Sequence, residues 1–177
     1  MPGAYKWKVV MMGDFAVGKT SLVRRFVYDE FSDSYLTTVG VKVTKKEVSL
    51  NDNDISLLLW DIAGSDNFNF ITAEYLRGGL GGIIVADITR ERSLESIPGH
   101  IDTLLACNPS VKIIVALNKL DLVKENDERL IYLKSDEFRK SLNGEPSILF
   151  TSALSGENVE KLFLSLADKI LKSKVYD

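Results

Sequence analysis

A chain of 177 residues, 45% hydrophobic and 27% charged with a mean hydropathy of +0.02, has enough apolar content for one sizeable core and excludes a disordered or fibrous protein. The formal net charge of −3 and pI near 5.3 give no general attraction to nucleic acid or anionic lipid, so no nucleic-acid partner is expected. One cysteine, Cys107, excludes an internal disulfide framework, and no apolar run approaches the ~18 residues of a membrane span. Residues 1–8 lack the apolar stretch of a signal peptide, and residues 172–177 hold no cysteine to prenylate. A cytoplasmic monomer without direct membrane insertion is expected, peripheral to membranes if a lipidated tail follows.

In chain order, the first short apolar run is 9–12, a predicted buried strand. Directly after it, Gly13-Asp14-Phe15-Ala16-Val17-Gly18-Lys19-Thr20 fits the phosphate-loop pattern G-x-x-x-x-G-K-[ST]. Glycines at both ends let backbone N–H groups turn inward, and a following helix start adds partial positive charge. Lys19 is placed to bridge the β- and γ-phosphates and the Thr20 hydroxyl to bind magnesium. The competing reading is an ordinary glycine-rich turn. Pairs four apart, Leu22 with Phe26 and Val23 with Val27, then predict a helix.

Two runs, 41–50 and 55–62, flank Asn51-Asp52-Asn53-Asp54, too short a link for a helix, so an antiparallel hairpin is predicted. The second run ends in Asp61-Ile-Ala-Gly64. A carboxylate at a strand's carboxyl end beside a phosphate loop is where a magnesium-bound water needs an acceptor, and Gly64 lets backbone approach the γ-phosphate. Alone, Asp-x-x-Gly is usually just a turn. Further buried strands are predicted at 83–86, 111–117 and 148–150.

After 111–117 comes Asn118-Lys119-Leu120-Asp121. Asp121 can accept from the N1–H and exocyclic amine of guanine, a donor pair that adenine lacks. Asn118 can tie this loop to the phosphate loop, and the Lys119 stem can cover the base. Thr151-Ser152-Ala153 follows the last strand, where the Ala153 N–H could donate to the guanine carbonyl. Val159, Leu162, Phe163, Leu166 and Ile170 mark a final amphipathic helix. His100 and Cys107 are read as structural. The fold class is therefore α/β, one domain over 1–177, with a six-stranded, mostly parallel sheet, one antiparallel edge hairpin and helices on both faces.

Five motifs in this order resemble the Ras superfamily of small GTPases, over about residues 6–171, and within it the Rab family. The Rab character lies in Thr38-Val-Gly-Val41, Trp60-Asp-Ile-Ala-Gly64, Tyr75-Leu-Arg-Gly-Gly-Leu-Gly81 and Asp87-Ile-Thr89. The resemblance implies a P-loop small-G-protein fold and a GTPase that switches between GTP and GDP forms with Mg2+, in signalling or vesicle traffic. It implies nucleotide contacts from residues 14–21, that is Asp14, Phe15, Ala16, Val17, Gly18, Lys19, Thr20 and Ser21. It adds Phe31, Tyr35, Thr38, Gly64, Asn118, Lys119, Asp121, Leu122, Ser152, Ala153 and Leu154. Metal ligation is expected from Thr20, Thr38 and Asp61, and catalysis from Lys19 and Ser65. Phe31 would pack edge-on to guanine, or be plain core; Tyr35 would close over the phosphates, or be a surface aromatic. Effectors, exchange factors and activating proteins would bind through 32–41 and 64–76.

Three departures matter. Ser65 stands where the family usually has a water-orienting glutamine. Phe15-Ala16 replaces small residues in the phosphate loop, at the entry point of an activating protein's arginine. Residues 66–70 lack the usual basic side chains. These changes imply slow hydrolysis. The alternatives are a guanine-nucleotide-binding interaction module with little or no hydrolysis, or a P-loop nucleotide kinase, which the short loops oppose.

Overall fold

The computed structural model describes residues 5–32, 38–64 and 73–175. Six strands form one sheet: β1 (Tyr5–Met12), β2 (Val41–Leu50), β3 (Asn53–Ile62), β4 (Gly81–Asp87), β5 (Lys112–Asn118) and β6 (Ser147–Phe150). Their order across the sheet is β2-β3-β1-β4-β5-β6, and every neighbouring pair is parallel except β2 with β3. The described helices are α1 (Lys19–Tyr28), α2 (Ala73–Leu76), α3 (Glu91–Glu95), α4 (Ile97–Cys107), α5 (Glu128–Leu133), α6 (Asp136–Lys140) and α7 (Val159–Val175).

The period-2 geometry of strands divides their side chains between two cores. Trp7, Val9 and Met11 of β1, with Ile83 and Val85 of β4, face α1 and α7, where the rings of Phe26 and Phe163 stack at 4.1 Å. Val10, Met12, Ile84 and Ala86 face the opposite way onto Ile97, Ile101 and Leu104 of α4 and onto Leu130 and Phe138 of α5 and α6. Each predicted stripe residue of the last helix, from Val159 to Ile170, lies in the first core. All seven residues of β4 are buried, as a central strand covered on both faces must be.

The hairpin turn is tighter than the sequence reading. Only Asn51 and Asp52 turn, both with positive φ (49° and 60°), while Asn53 and Asp54 already pair with Leu50 and Ser49. Two consecutive left-handed residues match the twist of an antiparallel pair, and Asn and Asp tolerate that conformation best after glycine. At the other end, the Ala63 N–H donates to Gly40 O at 2.9 Å, continuing the β2–β3 ladder one bond beyond the strands. The carboxyl ends of β1, β3, β4, β5 and β6 thus deliver residues 13–18, 61–64, 87–90, 118–122 and 151–154 to one edge of the molecule.

Candidate functional site

Along that edge lies a cavity of about 350 Å³. Its wall contains Phe15, Ala16, Gly18, Lys19, Thr20, Ser21, Phe31, Thr38, Gly64, Asn118, Lys119, Asp121, Leu122, Ala153 and Leu154, all anticipated from sequence. Arg24, Glu30 and Ser32 also line it and were not anticipated. Tyr35 and Ser65 lie outside the described residues. Asp14, Val17, Asp61 and Ser152 are absent from the wall, each hydrogen-bonded to a residue of it: Lys19, Asn118, Thr20 and Asp121 in turn.

The loop between β1 and α1 is held from behind. Gly18 caps α1 at φ 99°, in the left-handed region, and a Cβ there would come within 2.3 Å of Asn118 Nδ2. That same Asn118 amide donates to Val17 O at 2.9 Å, the expected tie between the two loops. Lys19 Nζ donates to Gly13 O (2.7 Å) and Asp14 O (2.8 Å). Burial lowers its pKa to about 8; Asp61 and Asp14 oppose the shift and Arg90 adds to it.

Three oxygen groups converge beside Lys19. Thr20 Oγ1 lies 2.6 Å from Thr38 Oγ1 and donates to Asp61 Oδ2 at 2.5 Å; Thr38 Oγ1 lies 3.4 Å from the same oxygen. Asp61 is buried, which raises its pKa against the opposing pull of Thr20, Lys19, Thr38 and Lys42. Its Oδ1 is buried with no hydrogen-bond partner among the described residues. Two neutral hydroxyls and a carboxylate with a spare lone-pair face are hard oxygen donors of the kind Mg2+ takes, so the residues fit that ion. Gly64 crosses directly over the phosphate loop, where a Cβ would meet Asp14 O at 2.5 Å and Phe15 N at 2.6 Å. Only glycine fits that crossing.

At the far end, Ser152 Oγ donates to Asp121 Oδ1 at 2.5 Å and so orients the carboxylate expected to read the base. Asn118 Oδ1 accepts from Thr151 Oγ1 and from the Ala153 N–H, both at 3.2 Å. The Ala153 N–H expected for the guanine carbonyl is in this structure given to Asn118 through a long bond. Lys119, at φ 68°, carries its stem along the cavity and its Nζ to Asp87 Oδ2 at 2.7 Å. Phe31 both lines the cavity and packs on the first core, so its two sequence readings merge.

Sequence reasoning missed the supports of this frame. Asp87 Oδ1 accepts from the Thr89 N–H (2.9 Å) and Thr89 Oγ1 (2.6 Å). Burial pulls the Asp87 pKa up, yet the Lys119 and Thr89 bonds outweigh it and leave it lowered. His100 from α4 places Nε2 3.0 Å from Asp14 Oδ1, and Arg25 on α1 donates to Ala153 O (3.0 Å) and Leu154 O (2.6 Å). Asp87 and Thr89 were read only as part of the Rab-like stretch Asp87-Ile-Thr89, and His100 and Arg25 sit in no motif. The only signal was a buried-type helix face carrying a polar residue. His100 is structural in the sense expected, but what it supports is the phosphate loop.

The Ras family model matches residues 8–172. Human Ras-related protein Rab-12 is 34% identical over 99% of this chain and 71% of its own length. Ras-related protein RABA4b of Arabidopsis thaliana is 36% identical over 94% of the chain and 73% of its own length. Ras-related protein SEC4 of Saccharomyces cerevisiae is 34% identical, covering 95% and 76%. A family match across nearly the whole chain, on a sheet whose strand ends gather the five expected motifs around one cavity, makes this protein a Rab-like member of the Ras family, a small GTPase that binds GTP and GDP with Mg2+.

Proposed function

We propose that the cavity holds the guanine nucleotide along its length, with residues 1–177 acting as one G domain and as a slow molecular switch in vesicle traffic. One observation carries this reading: a single cavity has Lys19, Thr20, Thr38 and Gly64 at one end and Asn118, Lys119, Asp121 and Ala153 at the other. Lys19 and the N–H groups at the start of α1 neutralise phosphate charge; Thr20, Thr38 and Asp61 hold the metal; Asp121 selects guanine. Mg2+, when bound, offsets charge that builds on the terminal phosphates.

Slow turnover is supported by Phe15, which is 42% exposed and lines the cavity beside Gly64. Its ring occupies the approach that an arginine from another protein needs, and such an arginine is worth roughly 10³- to 10⁵-fold in rate. Ser65 is too short to orient the attacking water. Effector, exchange-factor and activating proteins are expected on 32–41 and 64–76. There Val39 (90% exposed) and Tyr75 present apolar surface. Among the described residues no helix is long and apolar enough to cross a membrane.

Single-turnover GTP hydrolysis, with the bound nucleotide identified by chromatography, tests the proposal. Guanine nucleotide should co-purify and hydrolyse slowly. With an activating protein present, Phe15→Gly combined with Ser65→Gln should accelerate turnover beyond the product of the two single changes. Wild-type turnover as quick as an ordinary Rab would show that neither residue is a handicap. No detectable turnover in any variant would favour the interaction-module alternative.

A further inference from the structure

Arg90 belongs to none of the five motifs and does not line the cavity, yet its guanidinium reaches the phosphate loop. Arg90 Nη2 donates to Phe15 O at 2.7 Å, and Nε lies 3.5 Å from Asp87 Oδ2. The platform it springs from is fixed on every side. The Arg90 N–H donates to Asp87 O (3.0 Å), the Asp87 N–H to Ser93 Oγ (2.8 Å), and Ser93 Oγ back to Asp87 O (3.0 Å). Arg129 Nη1, from α5, donates to Thr89 O at 3.0 Å. The Asp87 carboxylate is pinned by Thr89 and Lys119 independently of Arg90.

A trans peptide plane points its C=O and N–H in opposite directions. Holding Phe15 O outward on Arg90 therefore aims the Ala16 N–H the other way, and Ala16 lines the cavity. Ala16 sits at φ 64°, a left-handed conformation that costs a residue with a Cβ roughly 1–2 kcal/mol. Without an external hold, rotation of this peptide would relieve that strain and turn the donor away. Lys19, which lines the cavity, takes the two preceding carbonyls, Gly13 O and Asp14 O, and Arg90, which does not line it, takes the third. Gly64 crosses at Phe15 N, which identifies this part of the loop as the terminal-phosphate end.

We propose that Arg90 is a positioning residue for the nucleotide site. Braced by Asp87, it locks the Phe15–Ala16 peptide so that the Ala16 N–H is presented to the terminal phosphates. This role rests on the proposed placement of the nucleotide. Because Asp87 keeps its other donors, removal of Arg90 leaves the base end intact and loosens the phosphate end alone.

The test uses the whole chain loaded with GDP and Mg2+, comparing wild type, Arg90→Ala and Arg90→Lys. Loss of one charge-assisted bond predicts GDP release faster by roughly tenfold in Arg90→Ala. Arg90→Lys, which has one ammonium for two distant acceptors, should lie between Arg90→Ala and wild type. Affinity for GMP, which lacks the terminal phosphates, should change less than about twofold, so the GDP-to-GMP affinity ratio falls roughly tenfold. An unchanged GDP off-rate in both variants would overturn the role of Arg90 alone. So would equal losses for GDP and GMP, which indicate general loosening. A wild-type protein that retains no GDP would instead refute the placement of the nucleotide, and this role with it.

Discussion

Asp121 and Ala16 show how single side chains set the chemistry of this cavity. With Ser152 fixing one of its oxygens, the Asp121 carboxylate is preoriented, and an adenine base would leave it unpaired. Discrimination against ATP should reach about 10⁴-fold, and Asp121→Asn should shift preference toward xanthine nucleotides, because an amide can donate to the extra carbonyl. Competition binding with GTP, ATP and XTP measures both, and equal affinities for ATP and GTP would refute the assignment. Ala16 carries a backbone penalty at φ 64°. Ala16→Gly should remove it, at some cost in unfolded-chain entropy, for a net gain of roughly 0.5–1 kcal/mol in thermal unfolding. The motif residues were legible because phosphate and base chemistry demand particular atoms at particular spacings. The supporting roles of Asp87, Arg90, Arg25 and His100 were not, since a residue that orients another side chain or a carbonyl can come from any nearby element.

At the scale of elements, most strands were readable as continuous apolar runs and the helices α1 and α7 from their period, whereas α5 and α6 were not. With six and five residues they complete fewer than two turns, too few to repeat an apolar stripe. Their caps were the available signal: Asp127 accepts from the Arg129 N–H, and Ser135 accepts from the Phe138 N–H. Helix α4 has a measurable liability in His100, which is 3% exposed. Burial lowers its pKa below 6.5; Asp14 opposes the shift and Lys19 adds to it. The folded protein therefore holds His100 neutral while the unfolded chain protonates it at its ordinary pKa, so unfolding takes up a proton and stability falls as pH drops below 6.5. The melting temperature of the GDP complex should decline from about pH 7 to about pH 5.5, and His100→Gln should flatten that slope. An identical slope in the variant would place the titrating group elsewhere.

For the molecule as a whole, the proposed placement makes nucleotide and metal one ligand that would tie both ends of the sheet's carboxyl edge together. Excess chelator should speed GDP release, and Thr20→Ala should reproduce that effect without unfolding the domain, because Thr20 links Thr38 to Asp61 at the surface of an otherwise intact core. An off-rate insensitive to EDTA would mean the three oxygens do not hold the ion. The hairpin adds a consequence at this scale. Thr38 and Gly64, the two residues expected to sense the terminal phosphate, sit at the two open ends of one ribbon, cross-linked by the Ala63–Gly40 bond. Ligand-induced order therefore cannot spread into one end by itself. Both segments share a single opening equilibrium, so the amides of 39–41 and 63–64 should show one common protection factor that rises in unison on exchange of GDP for a non-hydrolysable GTP analogue. A binding protein that grips either end alone would then report on, and stabilise, the state of both.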